Sequence, residues 1–190
     1  MSTAAIEPKM TVEDLLAMPD DGIDRDLIRG RIRERPMTRR YRRHARTTTN
    51  LAAVLKQWKD QLNPPAGEVL TGDAAFCLDR DPASTVGIDV AYVSAELAKH
   101  APDDVFLIEG APILAVEVLS PSDTHEGVVE KLELYLGSGV AVVWIVDPDL
   151  RNVTVYRPGQ IETLFAASQE LAGDPELPGF RVRVSDLFLP

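Results

Sequence analysis

The sequence predicts a mixed α/β fold of the α+β kind, with a mixed β-sheet flanked by helices. Residues 113–119 and 141–146 are short apolar runs that enclose a helical pattern at residues 123–137. That order is typical of two parallel strands joined by a right-handed helical crossover. Apolar residues at helical spacing in residues 41–62 predict a long helix on one face of the sheet.

The composition favours a single intracellular domain. The chain has 190 residues, of which 45% are hydrophobic, so we expect one domain at residues 10–190 after a flexible tail at residues 1–9. The single cysteine, Cys77, excludes an intramolecular disulfide and favours a reducing compartment. The sequence contains no run of 18 apolar residues and no signal-peptide pattern. These features predict a cytoplasmic protein without a membrane partner.

The charge is unevenly distributed along the chain. The formal net charge of −10 argues against a nucleic-acid partner, but residues 25–46 contain ten arginines and only two acids, Asp26 and Glu34. Such a basic stripe is compatible with contact to DNA phosphates. The alternative is a solvated charged face that pairs with the acidic remainder, and charge alone leaves both open.

The N-terminal elements are predicted from caps and periodicity. Thr11 and Asp14 have the spacing of a capping box, which predicts a short helix that ends near Met18. Residues 23–36 alternate in part, which favours a β-hairpin with its turn at Arg29 and Gly30. The long helix follows, and its apolar stripe consists of Leu51, Val54, Leu55, Trp58 and Leu62.

The remaining elements are mostly strands. The pattern predicts strands at residues 68–78, 86–93, 113–119, 141–146, 152–156 and 180–184, and helices at residues 95–99 and 123–137. The run at 141–146 is wholly apolar, so it should be buried on both faces. The run at 152–156 alternates, and we expect it at an edge of the sheet. Residues 158–179 are predicted to be rich in loops.

One carboxylate lies in the middle of the central apolar strand. Burying an ionised Glu117 there lowers the stability of the fold by on the order of several kcal/mol, unless a cation or a metal ion lies beside it. In the following helix, Lys131 shares a face with Val128 and Tyr135, so its side chain should point inward, toward the strand. A second acid, Asp89, lies in another apolar strand.

These three residues have two interpretations. If the two strands are neighbours, Asp89 and Glu117 converge on one divalent cation, and two carboxylates with a backbone carbonyl and waters suit Mg²⁺. Such a metal lowers the pKa of a bound water and stabilises charge on a phosphoryl oxygen, and a nearby lysine assists. The alternative is a buried ion pair of Glu117 with Lys131, with Asp89 capping a turn. Spacing alone leaves both interpretations open.

Further candidates lie next to these residues. Ser120 is an auxiliary candidate that either orients Glu117 or caps the following helix. His44, at the start of the long helix, is a candidate for DNA contact or for the rim of the site, with a place on the helix surface as the alternative. The basic residues that we assign to DNA contact are Arg39, Arg40, Arg42, Arg43 and His44.

Several motifs occur together: Ile88-Asp89-Val90, residues 114–123, Glu130-Lys131 with Tyr135, and residues 139–148. In this combination they resemble the Uma-two family of restriction endonucleases, in the PD-(D/E)XK nuclease superfamily. Residues 26–30, 177–180 and 186–188 resemble the ends of that family. The resemblance covers nearly the whole chain from about residue 10.

The resemblance implies a restriction-endonuclease-like core that cleaves DNA with Mg²⁺, or with Mn²⁺ as the alternative ion. Asp89 matches the motif Asp of the superfamily, and Glu117 matches the acid of its Glu-x-Lys motif. Leu119 stands where the lysine of that motif is expected, and Lys131 on the following helix matches its replacement. Asp26 stands where relatives usually carry Glu, either as an auxiliary acid near the metal or as a partner for the arginines.

The leading functional prediction is therefore a metal-dependent DNA endonuclease. Asp89 and Glu117 would bind the metal, and Lys131 would assist the attacking water. The alternative is a nuclease-like fold that serves as a DNA-binding or assembly module without useful catalysis. A chain with one catalytic site usually cleaves both strands of DNA only when two copies of the chain act together. We therefore also predict a homodimer, with the strand at residues 152–156 as its interface.

Overall fold

The structure, a computed structural model, describes residues 9–36, 41–64 and 66–190, apart from the side chain of Pro36. Of the predicted tail at residues 1–9, only Lys9 falls within the described residues. No described helix is both long and apolar enough to cross a membrane. The helices are α1 (Val12–Leu16), α2 (Arg42–Gln61), α3 (Ala95–His100), α4 (His125–Gly137) and a terminal 3-10 helix (Val184–Phe188). The strands are β1 (Ile23–Ile28), β2 (Arg31–Pro36), β3 (Glu68–Arg80), β4 (Ala83–Val93), β5 (Ile108–Glu109), β6 (Leu114–Val118), β7 (Val142–Asp147), β8 (Asn152–Tyr156), β9 (Thr163–Ala166), β10 (Glu170–Ala172) and β11 (Arg181–Arg183).

Nine of the described strands form one mixed sheet. Its order is β2-β1-β4-β6-β7-β8-β9, and β3 pairs with β4 and with β5. Strands β6 and β7 are parallel and are joined by α4, as the strand-helix-strand pattern predicts. The other pairs are antiparallel except for a short parallel contact between β3 and β5. The predicted mixed sheet flanked by helices is confirmed.

Helix α2 covers one face of this sheet. Its apolar stripe buries Leu51, Leu55 and Trp58 against the central strands, in one core with the C-terminal segment. The Trp58 indole packs edge-on against Phe180, with 6.0 Å between ring centroids, and donates a hydrogen bond to the Pro178 carbonyl at 3.0 Å. Burial of large apolar side chains is the main stabilising contribution in such a layer. The helix is therefore fixed on the sheet along its length.

Helix α4 and its neighbours cover the opposite face. Side chains alternate along β6, so that Leu114 and Val116 pack on the α2 side and Ala115 packs on the α4 side. Leu134 and Tyr135 of α4 are buried in this second core. The same alternation directs Glu117 toward α4.

The β1–β2 hairpin has its turn where the sequence places it. Ile28 pairs with Arg31, and the two turn residues, Arg29 and Gly30, have φ angles of 52° and 78°. Two central residues with positive φ match the twist of the adjoining strands. The hairpin brings Asp26 beside β4, where its carboxylate meets Gly87.

The prediction that residues 152–156 form an edge strand is wrong. Strand β8 pairs with β7 on one side and with β9 on the other, with Thr154 opposite Leu164. The alternation in β8 arises because one face of the strand is buried and the other is partly exposed. Such a pattern does not show whether other strands pair with both edges of the strand. Strand β9 comes from the segment that was predicted as loop. A dimer that meets along β8 therefore has no free edge to use.

Gly67 lies where a side chain has no room. Its φ is +72°, and a Cβ there would lie 2.3 Å from the Val93 carbonyl oxygen. We expect Gly67→Ala to lower the free energy of unfolding by about 2–4 kcal/mol, because backbone strain and a backbone clash add together. Gly22→Ala is the matched control, since φ is +78° but nothing lies within 4 Å, and it should cost only about 1 kcal/mol. If urea denaturation shows the same loss of unfolding free energy for Gly67→Ala and Gly22→Ala, the clash at Gly67 has no effect and the prediction is wrong.

Candidate active site

The site forms at a gap between two strands that share one edge of β4. Strand β3 pairs along the whole of β4, so β1 and β6 both lie at its other edge. β1 pairs there at Thr85 and β6 pairs at residues 90–92. Between them, no strand among the described residues pairs with residues 86–89 of β4 on that edge. We call this interval the strand gap.

Charged side chains bind the backbone groups at the strand gap. An Asp26 carboxylate oxygen accepts a hydrogen bond from the Gly87 N–H at 3.0 Å, and the Lys131 ammonium donates to the Gly87 carbonyl at 3.1 Å. An Asp89 carboxylate oxygen accepts from the Val118 N–H at 2.8 Å. Buried backbone groups need such partners. The side chains replace the missing ladder bonds, and this holds three ionisable groups together.

Glu117 and Lys131 meet as the periodicity predicts. The Lys131 Nζ lies 3.3 Å and 3.4 Å from the two carboxylate oxygens of Glu117. The Tyr135 hydroxyl also donates a hydrogen bond to this carboxylate. Burial raises the pKa of Glu117 to about 7, against the opposing influence of the lysine. Burial lowers the pKa of Lys131, but the nearby carboxylates of Glu117 and Asp26 outweigh it and leave that pKa raised.

Asp89 is held by the start of α2. The His44 Nε2 lies 3.3 Å from an Asp89 carboxylate oxygen, and the two residues are only 4% and 7% exposed. Burial raises the pKa of Asp89, but hydrogen bonds from His44 and from the Val118 N–H outweigh it and lower that pKa. His44 therefore lies at the site, and the alternative of a helix-surface position is wrong. The alternative in which Asp89 caps a turn is also wrong, because Asp89 lies within β4.

Asp26 has the arginine partner that one of its two predicted alternatives gives it, and its role as an auxiliary acid near a metal stays a prediction. Its carboxylate accepts a hydrogen bond from Arg35 at 2.9 Å, so it does partner an arginine. The same oxygen lies 3.7 Å from the Lys131 Nζ, so it also belongs to the ionic network of the site. Asp26 is 2% exposed, which makes it a structural part of the strand gap.

A cleft of about 260 Å³ opens onto this network. Its walls come from β1, β2, β4, β6 and α4. Leu119 lines it together with the charged residues Asp26, Arg33, Glu34, Arg35, Asp89, Glu117, Asp123, Glu130 and Lys131. Asp89, Glu117 and Lys131 therefore lie where a ligand from solvent can reach them.

The sequence matches a known family over residues 12–185, and that family is described as "Uma2: Putative restriction endonuclease". The protein belongs to this family. Among solved structures, it resembles the "putative nuclease belonging to DUF820 from Anabaena variabilis ATCC 29413", with a TM-score of 0.79 and 18% identity over 94% of this chain and 97% of that one. At that identity, the likeness shows a shared fold alone. No curated protein matches the sequence.

The donor set of this Uma2 site fits a hard cation. Asp89 and Glu117 both line the cleft, and carboxylates supply the oxygen ligands that Mg²⁺ prefers. No three His, Cys, Asp or Glu side chains among the described residues form a ready metal cluster. Mg²⁺ commonly uses one or two protein carboxylates and completes its shell with water and substrate phosphates. Asp89 and Glu117 therefore match the number and the type of protein ligands that Mg²⁺ commonly takes.

Ser120 has neither of its predicted roles. Its hydroxyl donates a hydrogen bond to Asp123 at 2.9 Å and lies 2.8 Å from the Ser122 hydroxyl. The N-cap of α4 is Thr124, whose hydroxyl accepts a hydrogen bond from the Gly127 N–H at 3.1 Å. Ser120 therefore stabilises the loop between β6 and α4, and it does not contact Glu117.

The basic residues assigned to DNA contact have mixed outcomes. Arg39 and Arg40 lie outside the described residues. Arg42 and Arg43 are exposed in the first turn of α2, and Arg43 forms an ion pair with Asp149. Other arginines of the stripe pair with Asp21, Glu34, Asp24, Asp26 and Glu130. Acidic residues inside and outside the predicted basic stripe thus neutralise part of its charge.

Two features of the site were not predicted. The Tyr135 hydroxyl bonds Glu117, although the sequence suggested only packing for that residue; its i+4 spacing from Lys131 was the available signal. The bidentate pair of Arg33 with Glu130, which joins β2 to α4, had no local signal because the residues are 97 positions apart.

Proposed function

We propose that this Uma2 protein is a Mg²⁺-dependent endonuclease that hydrolyses DNA phosphodiester bonds, with Mn²⁺ as the alternative ion. The observation that carries the proposal is the strand gap, where two carboxylates and a buried lysine meet at the floor of an open cleft. Buried ionisable groups with shifted pKa values that converge in a cleft are typical of catalytic sites. Family membership supports nuclease chemistry.

Each residue of the network has a distinct task in this proposal. Asp89 and Glu117 would hold the metal ion, which supplies charge stabilisation at a phosphoryl oxygen and lowers the pKa of water. The Lys131 ammonium is fixed between Glu117 and the Gly87 carbonyl, so it is oriented to donate a hydrogen bond to the attacking water or to a phosphoryl oxygen. His44 and Tyr135 orient the two carboxylates.

Removing either carboxylate charge should abolish cleavage. We expect Asp89→Asn and Glu117→Gln each to lower the rate of Mg²⁺-dependent DNA cleavage by about 10²-fold or more, because each removes a charged ligand. These isosteric changes keep polar contacts with Val118 and Tyr135, so the chain should still fold. Asp60→Asn, at the exposed end of α2, is the matched control. The measurement is cleavage of plasmid DNA with Mg²⁺ and with EDTA; undiminished cleavage by both variants would show that the site is wrongly assigned.

A second candidate function is a DNA-binding or assembly module without useful catalysis. It is favoured by Leu119, which occupies the lysine position of the Glu-x-Lys motif, so that the strand lacks the cation of that motif. Affinity and cleavage measured together across a salt series separate the two candidates. A steep salt dependence of binding without Mg²⁺-dependent products supports the module. No affinity for DNA at any salt concentration would contradict both.

The cellular setting and the oligomeric state complete the proposal. The cysteine Cys77 is free and buried, which is consistent with the reducing environment of the cytoplasm. We retain the homodimer because double-strand cleavage by a chain with one site usually needs two copies, although β8 is not its interface. Light scattering at several protein concentrations tests it, and a monomer mass in the presence of DNA would contradict it.

A further inference from the structure

Opposite charges face each other across the entrance to the cleft. Arg33 of β2 donates two parallel hydrogen bonds to Glu130 of α4, at 2.9 Å and 2.5 Å. One turn further along α4, Glu133 lies 3.8 Å from Arg29 in the hairpin turn. The hairpin and α4 are therefore linked by two ion pairs, of which the Arg33–Glu130 pair has the better geometry.

The Arg33–Glu130 pair lies between two depressions of the surface. Both residues line the cleft above Glu117, and both also line a second depression that runs beside the first turns of α4. A ligand that extends from one depression to the other crosses this pair. A DNA strand is such a ligand, because its phosphates repeat along an extended backbone.

The geometry of the pair matches phosphate as well as carboxylate. The planar guanidinium group binds either anion through two parallel N–H···O bonds. The hydrogen bonds from Arg33 lower the pKa of Glu130, so its carboxylate stays ionised and repels other anions. The side chains of Arg33 and Glu130 are 42% and 31% exposed, and ion pairs at such positions are held weakly because water competes.

We propose that the Glu130 carboxylate occupies the place of a DNA phosphate on Arg33, and that DNA binding transfers Arg33 from Glu130 to a backbone phosphate. Glu130 then acts as a gate: it lowers the affinity of the cleft for any polyanion that does not displace it. This proposal rests on the proposed function as a DNA nuclease. Arg33 becomes a phosphate-binding residue and Glu130 a positioning residue.

The test is DNA affinity of four variants, measured in EDTA so that no cleavage occurs. Fluorescence anisotropy of a short labelled duplex, across a salt series, gives the affinity and its salt dependence. Glu130→Gln should bind about 5- to 10-fold more tightly than the wild type, and Arg33→Gln should bind about 5-fold more weakly. Arg33→Gln should also reduce the slope of log affinity against log salt by about 1.

The matched control is Glu109→Gln. Glu109 makes the same bidentate contact with Arg80, at 3.3 Å and 2.5 Å, and it does not line the cleft. This variant measures how much the removal of one negative charge far from the cleft changes the DNA affinity through long-range electrostatics alone. We expect a change of about 2-fold or less, because salt screens distant charges.

The double variant Arg33→Gln/Glu130→Gln separates displacement from simple repulsion. If Glu130 acts through Arg33, the gain from Glu130→Gln shrinks toward the Glu109→Gln value when Arg33 is absent. Equal gains in both backgrounds, or no gain beyond the control, would overturn the gate. Absence of DNA binding by the wild type and all variants would overturn the gate, and absence of Mg²⁺-dependent cleavage by the wild type as well would overturn the proposed function. Thermal unfolding verifies folding, and Arg33→Met, which also removes the charge, replaces Arg33→Gln if the latter fails to fold.

Discussion

Replacing Lys131 by methionine should both abolish cleavage and destabilise the fold. Lys131 forms an ion pair with Glu117, and its Nζ also lies 3.7 Å from Asp26; the side chains of Lys131, Glu117 and Asp26 are 12%, 15% and 3% exposed. Removing one partner from a buried charge pair typically costs about 3–5 kcal/mol, because the remaining charge loses its compensation. The Gly87 carbonyl also loses its donor. Urea denaturation measures the free energy of unfolding, and DNA cleavage measures the activity.

A double variant gives this prediction its control. Glu117→Gln removes the carboxylate charge that Lys131→Met leaves uncompensated, while an amide oxygen can still accept the Tyr135 hydrogen bond. We therefore expect Lys131→Met/Glu117→Gln to be about 1–3 kcal/mol more stable than Lys131→Met alone, although equally inactive. Wild-type stability of Lys131→Met would show that the buried network does not depend on its cation. A double variant without recovery would locate the loss at Asp26 or Gly87.

Much of the fold was predictable because local periodicity determines it. The apolar stripe of α2, the strand-helix-strand unit from β6 to β7 and the hairpin turn at Arg29 and Gly30 each depend on residues close in sequence. Strand β9 was missed because its four residues are mostly exposed and lack an alternating apolar pattern. Its presence is decided by pairing with β8, which no local signal reports.

The site was predictable only as far as register and helical phase allow. Helical spacing pointed Lys131 inward, toward the strand that carries Glu117, and the two side chains meet there. The contact between His44 and Asp89 joins residues 45 positions apart on a helix and a strand, so its geometry follows from how α2 packs. The strand gap follows from β1 and β6 sharing one edge of β4. Only the tertiary structure shows why the backbone of Gly87 recruits Asp26 and Lys131.

A lysine at position 119 should partly restore the activity that Lys131→Met removes. Leu119 lines the cleft two residues after Glu117, and its backbone N–H is fixed to the Val146 carbonyl at 2.8 Å. Residues two apart on an extended strand point to the same side, so the Nζ of a lysine at this position can reach the cleft. This is also the lysine position of the Glu-x-Lys motif that the sequence resembles.

We expect Lys131→Met/Leu119→Lys to cleave DNA at least about 10-fold faster than Lys131→Met, because a positioned cation again faces the reacting phosphate. Lys131→Met/Leu119→Met is the matched control, since it adds a long side chain without charge, and it should stay inactive. The recovery should vanish when Asp89→Asn is added, because a rescued site still needs its carboxylate. If the lysine at position 119 restores stability but no cleavage, then the role of Lys131 is to compensate the buried acids, and its ammonium takes no part in the reaction. If it restores cleavage, a lysine on the strand can supply the same ammonium group as a lysine on α4. The site then requires an ammonium group beside Glu117, whichever element carries it.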